Sequence, residues 1–262
     1  MRVCVFVDGE NLRHTICELF EPVFDQKEYL PKNADWAKFY DHIVDTATGG
    51  RGDRLRTYWY VVQHFDPYPR PLAPRNRNQN ELEAWFKTNR RALEAVYTVK
   101  GNAAERVITL TQMQEDLTEV FTAMRSRFEG WTHLQNNIAQ KHRALEFRRS
   151  GAIPYNLTNK RFGQEKTVDV NLAIDMVMLK ENYDLAIIVS GDQDYVPAAQ
   201  AVKNMGKHVV NVAFQARSGL LLPGGAKRLN QVTDWSIALE WDPLREMMAI
   251  PKEEPKTKSA ES

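Results

Sequence analysis

Residues 188–197 read IVSGDQDYVP. An apolar run, LAIIV (185–189), ends in Ser190 and Gly191 and is followed by two aspartates one residue apart, Asp192 and Asp194. A short β-branched run closed by turn residues reads as a buried strand. After the aspartates, YVPAAQAVKNMG (195–206) has helical spacing and stops at Gly206, a residue suited to the left-handed position after a helix. KHVVNVAF (207–214) then reads as another strand. Strand, acidic loop, helix, strand is the unit of a parallel α/β sheet.

The rest of the chain repeats that alternation. RVCVFV (2–7) is a second buried strand, stopped by DGEN. A helix is expected from Asn11 to Phe20 and another from Asp35 to Ala47. In the latter Asp35 can cap, and Trp36, Phe39, Ile43 and Val44 share one face. LRTYWYVVQHF (55–65) is an aromatic, β-branched strand, and PYPRPLAPRNRNQN (67–80) a proline- and arginine-rich loop. A helix follows to about Val96. VITL (107–110) reads as a strand or as the lead into a long helical segment over 111–148, with Leu117, Val120, Phe121, Met124 and Phe128 at helical spacing. SGAIPYNLTN (150–159) is extended or looped, and VDVNLAIDMVMLKENY (168–183) is helical with an apolar face. The expected fold is α/β with a central, mostly parallel sheet, interrupted by a helical insertion at about 100–150. The charged end, from 241 to 262, is expected to be a disordered tail.

Composition narrows the class. The chain has 262 residues, 43% of them hydrophobic and 26% charged, with a formal net charge of +1. A nucleic-acid surface therefore has to be a local patch. Cys4 and Cys17 are the only cysteines, which excludes a disulfide framework and a cysteine-built zinc site. No apolar run approaches the length needed to span a bilayer, and the apolar start is cut short by Asp8. The expectation is a soluble, cytoplasmic protein.

In a parallel α/β sheet, functional groups collect beyond the carboxyl ends of the strands. Asp8 follows the first strand, Asp192 and Asp194 follow the strand at 185–190, and Asp169 opens a helix near a strand-to-helix edge. Four carboxylates gathered there repel one another unless a cation sits among them or protons stay on. Oxygen-only ligands suit Mg2+ or Mn2+ rather than zinc, and such a centre is equipment for phosphodiester hydrolysis. Singly, each acid also reads as a turn or helix-cap residue; the conjunction is what points to a metal.

Laid out this way, VFVDGENL (5–12), TVDVNLAIDMVML (167–179) and IIVSGDQDYVPAAQAVKNMGKHVVNVAF (187–214) resemble the NYN domains of the PIN-like nuclease superfamily. The resemblance implies a PIN-like three-layer fold over residues 1–240 and a metal-dependent ribonuclease. Carried over by motif, it implies Asp8, Asn11, Asp169, Asp192 and Asp194 as catalytic residues, with the four aspartates holding Mg2+ or Mn2+. Ser190 and Asp175 are further candidates. Asp175 lies about 120° around the helix from Asp169, so a structural pairing is its competing reading. Tyr195 stands where the family commonly has an aromatic residue. The stretch 66–165 carries little of the resemblance.

That middle stretch holds 16 Lys or Arg against 11 Asp or Glu. Arg148, Arg149, Lys160, Arg161 and Lys166 are the candidate phosphate contacts, with Tyr68, Trp85, Phe147, Tyr155 and Phe162 as candidate stacking partners for unpaired bases. Solvated charges over core aromatics are the competing reading. The helical insertion is equally a candidate surface for a second copy or a protein partner. The expected activity is cleavage of RNA; a DNA or structure-specific nuclease and a non-catalytic RNA-binding module remain open. Phosphatase-type sites fit less well, since residues 8–10 read D-G-E rather than D-x-D. An early glutamate paired with a later D-x-D, as Glu10 with Asp192 and Asp194, also competes. GGRGDR and LPGGAKR do not form a phosphate loop.

Overall fold

The computed structural model describes every residue except 22, 25–28, 224–225 and 252–262, so the second half of the expected tail lies outside the described residues. The elements in chain order are β1 (Arg2–Asp8), α1 (Gly9–Leu19), α2 (Trp36–Thr48), β2 (Asp53–Tyr68), α3 (Gln79–Leu93), α4 (Ala103–Lys141), β3 (Leu145–Asn156) and β4 (Arg161–Phe162). They continue with α5 (Thr167–Met178), β5 (Leu185–Val189), α6 (Val196–Asn204), β6 (His208–Gln215), β7 (Leu221–Leu222), α7 (Lys227–Val232), β8 (Trp235–Leu239) and α8 (Trp241–Met247). The chain divides into two compact units. The first comprises residues 1–61, 134–149 and 168–262, the second residues 62–133 and 150–167.

The first unit is built on a mostly parallel sheet. β1 pairs in parallel with β2 on one side and β5 on the other, β5 pairs in parallel with β6, and β6 with β8. β1 and β5 are buried nearly end to end, which is why they read as unbroken apolar runs rather than alternating ones. The order matters for function. From β1 the chain builds outward to β2 in one direction, and from β5 outward to β6 and β8 in the other. The crevice beyond the carboxyl ends of β1 and β5 is therefore a topological switch point, the place where open α/β sheets bind ligands. The register Val7↔Val189 brings Asp8 and Ser190 to that crevice side by side.

An aromatic core backs the sheet. Trp36 and Trp59 meet edge to face at 4.8 Å, and Tyr40 packs against Trp59 at 5.7 Å. Asp35 caps α2 by accepting the Lys38 amide at 3.0 Å, and its face carries Phe39, Ile43 and Val44 into the interior, as the spacing predicts. Gly9 opens α1 directly under β2. A Cβ at that position would stand 2.4 Å from the Tyr60 carbonyl oxygen and 2.8 Å from Val61 Cγ1. Gly9→Ala is accordingly expected to lose about 1–3 kcal/mol, the usual range for overpacking, read as a lower urea midpoint. An unchanged midpoint would contradict the close approach.

The second unit has its own core, in which Leu82, Trp85 and Phe86 of α3 meet Leu110, Met113 and Leu117 of α4. Trp85 Nε1 donates to the Arg70 carbonyl at 2.8 Å, fastening the proline-rich loop. β4 pairs with β3 in antiparallel fashion, Tyr155 opposite Phe162.

Two expectations are corrected. The long helix begins at Ala103, absorbing VITL, and ends at Lys141 rather than 148. Ala144 then adopts φ 59° and the chain enters β3 at Leu145, so the expected insertion ends in a sheet strand. The strand is chosen by tertiary contacts: Phe147 stacks on Trp59 at 4.8 Å, a partner that helical periodicity cannot foresee. The tail expected from 241 begins instead with α8, whose Leu244 is buried and whose Met247 carbonyl accepts the Asp35 amide at 2.8 Å.

Candidate metal centre

Asp169, Asp192 and Asp194 form one group. Each offers a carboxylate oxygen, and these oxygens all lie within 4.8 Å of one another. Asp169 sits in the first turn of α5, where the helix dipole favours an anion. Asp192 and Asp194 lie in the loop after β5. Asp192 caps the short 3-10 turn Gln193–Tyr195, accepting the Asp194 amide at 2.9 Å. Asp169 and Asp192 are half-buried and Asp194 is exposed, so the group opens to solvent on one side.

Asp8 stands next to this group, outside it. Its carboxylate caps α1, accepting the Asn11 amide at 3.0 Å on Oδ1. On Oδ2 it accepts the Ser190 hydroxyl at 3.0 Å. Burial pushes its carboxyl up to about 6; the Asn11 amide opposes that shift and the charge of Asp169 adds to it. Asn11 and Ser190 hold the two loops together. Asn11 Oδ1 accepts the Gly191 amide at 3.0 Å, and Ser190 Oγ accepts the Asp192 amide at 3.0 Å. Gly191 is confined as well, since a Cβ there would meet Pro223 Cγ at 2.3 Å.

A residue that the sequence marked only as an aromatic completes the arrangement. Tyr195 is fully buried, and its hydroxyl lies 2.9 Å from Asp169 Oδ1 and 3.2 Å from Asp8 Oδ2. Burial, and after it the charges of Asp8 and Asp169, hold the phenol firmly protonated. Three separate chain segments thus converge at the carboxyl ends of β1 and β5, in the motif order D-G-E-N, V-D-V, S-G-D-x-D-Y.

Residues 96–223 match the model of the NYN domain family. NYN domains belong to the PIN-like nuclease superfamily, and the matched segment carries the acidic group. The NYN match takes in Asp169, Asp192 and Asp194 together with the middle stretch from 96 that the motifs left unmarked. It stops short of VFVDGENL, and so of Asp8 and Asn11. No curated protein matches the chain. Among solved structures it is similar to a Vibrio parahaemolyticus protein of unknown function, at 15% identity and a TM-score of 0.44, over 91% of this chain and 92% of that one.

The remaining candidates separate by position. Asp175 is tied down within the protein: Tyr60 donates to its Oδ2 at 2.8 Å, and Arg148 pairs with the same oxygen. Arg148 also bonds Glu146 at 3.1 Å and lies over the Tyr58 ring at 4.2 Å. Arg149 donates to Gln135 Oε1 at 2.9 Å and Asn136 Oδ1 at 2.7 Å. Both arginines, read as phosphate contacts, are engaged within the protein. Arg148→Ala is expected to cost about 1.5–3 kcal/mol in urea denaturation, the worth of losing a charged hydrogen bond, and to leave any nucleic-acid affinity in place. Weakened nucleic-acid binding at full stability would return Arg148 to the substrate surface. Lys160, Arg161 and Lys166 belong to the second unit and are exposed. Of the candidate stacking aromatics, Trp85 and Tyr155 are buried and Phe147 lies against Trp59, whereas Tyr68 and Phe162 are exposed. No helix among the described residues is long and apolar enough to cross a membrane.

Proposed function

We propose that the protein is a divalent-metal-dependent endoribonuclease, with Asp169, Asp192 and Asp194 holding Mg2+ or Mn2+ and Asp8 and Asn11 completing the catalytic site. The observation that carries this reading is the convergence of three carboxylates, from two distant segments, at the switch point of a parallel sheet. The donor set fits the group: all oxygen, all anionic, one side open to solvent. That suits a hard cation that retains exchangeable positions. Bound there, the cation supplies Lewis acidity toward water and phosphate oxygens.

The chain's own residues supply the rest. The Asn11–Gly191 and Ser190–Asp192 bonds fix the loop that carries Asp192 and Asp194. Asp8, buried and anchored by Asn11 and Ser190, adds negative charge behind the group and thereby strengthens cation binding. Lys160, Arg161 and Lys166 are the remaining candidates for neutralising the phosphates of an RNA strand.

The test is cleavage of labelled single-stranded RNA, transfer RNA and matched DNA, each with Mg2+, Mn2+ or EDTA. Metal-dependent cleavage confined to RNA is the expected result. Preferential cleavage of DNA moves the assignment to a DNA nuclease, and RNA binding without cleavage under any condition moves it to a binding module.

A further inference from the structure

The acids of the site come from segments with no sequence proximity: Asp169 from α5, Asp192 and Asp194 from the loop after β5. Something has to hold one against the other, because like charges this close push apart. Tyr195 is the residue next to Asp194, and its hydroxyl crosses to Asp169. Its ring is fully buried, so the hydroxyl cannot wander.

A phenol carries one proton and can donate it once. Two carboxylates lie within reach, Asp169 at 2.9 Å and Asp8 at 3.2 Å. Asp8 has other donors, the Asn11 amide and the Ser190 hydroxyl, each at 3.0 Å. The shorter contact and the satisfied state of Asp8 both direct the proton to Asp169. Holding Asp169 by Oδ1 stops the carboxylate turning about its last torsion and fixes where its remaining lone pairs point.

We infer that Tyr195 is a positioning residue for the metal centre. Its hydroxyl locks the Asp169 carboxylate against the loop bearing Asp192 and Asp194, so that the three oxygens are preorganised for a divalent cation. This inference rests on the metal centre proposed above. An outer partner that orients a ligating carboxylate in this way is typically worth 10–100-fold in metal affinity.

Manganese binding, followed by electron paramagnetic resonance of free Mn2+, tests it without any substrate. Wild type, Tyr195→Phe, Asp169→Asn and the double variant would be titrated, with thermal midpoints measured in EDTA. Phenylalanine keeps every apolar contact of the ring and removes only the hydroxyl. Tyr195→Phe is expected to bind Mn2+ about ten-fold more weakly, at a metal-free midpoint close to that of wild type. In the Asp169→Asn background the same change should cost nothing further, because the hydroxyl acts through Asp169. Equal Mn2+ affinity in wild type and Tyr195→Phe would overturn the inference while leaving the metal centre standing. A ten-fold loss that persists in the Asp169→Asn background would also overturn it, since the effect would then be general to the fold. Absence of Mn2+ binding by wild type would instead remove the metal centre itself, and the role of Tyr195 with it.

Discussion

Asp192→Asn is expected to lower metal-dependent RNA cleavage by about three orders of magnitude, equivalent to about 4 kcal/mol of barrier. Asparagine is close to isosteric and is itself a good cap, so the short turn that Asp192 closes through the Asp194 amide survives the change. What disappears is one of three negative charges that face one another across 4.8 Å. The cation loses a ligand, while the metal-free protein loses a repulsion. Cleavage should therefore collapse at unchanged or slightly raised thermal stability, with RNA affinity retained. The decisive comparison is single-turnover cleavage beside a filter-binding isotherm for the same variant. Activity within a few-fold of wild type would remove Asp192 from the metal centre.

The second large effect concerns Asp8 and pH. Its folded-state carboxyl is raised from 3.8 to about 6, chiefly by burial. A raised value means that the folded protein binds this proton more tightly than the unfolded chain does. The stabilisation is complete below pH 4 and is lost as pH rises through about 6. The gap between 3.8 and about 6 sets an upper bound of about 3 kcal/mol. Carboxylates held below their usual range, Asp184 by Arg2 and Asp234 by the Val209 amide and Lys203, act in the opposite sense at more acidic pH. The window for Asp8 is thus about pH 4 to 6. Urea midpoints in EDTA should fall across that window for wild type and stay level for Asp8→Asn. Mg2+ should flatten the wild-type slope, because a neighbouring cation favours the charged carboxylate. A wild-type profile already flat in EDTA would mean that Asp8 is ionised without penalty.

Much of this architecture was legible before any coordinates. LAIIVSGDQD announces a buried strand and its acidic exit because both signals are local: an unbroken apolar run, then turn chemistry. The same holds for VCVFVDGEN. The strand at Leu145–Asn156 was not legible. LEFRR follows a helical segment, carries three charges in five residues, and becomes a strand through contacts made elsewhere, Phe147 on Trp59 and Arg148 on Asp175. The acids show the same division. That Asp8, Asp169, Asp192 and Asp194 share one sheet edge follows from topology. That Asp8 is a buried cap beside the group, and that Tyr195 reaches two carboxylates, depends on side-chain directions that spacing does not encode. Asp175 had two readings in the sequence, and its bonds to Tyr60 and Arg148 favour the structural one.

The pairing of β1 with β5 has a consequence for biosynthesis. Asp8 is made well before its partners: the Ser190 hydroxyl that anchors it lies 182 positions later and the Tyr195 hydroxyl 187. A ribosome adds about 5–20 residues each second, so Asp8 waits on the order of ten seconds or more for its partners to emerge. During translation β1 has only β2 to lie against. The acidic centre closes only once β5 and the loop after it have left the exit tunnel. Until then the growing chain carries no finished centre.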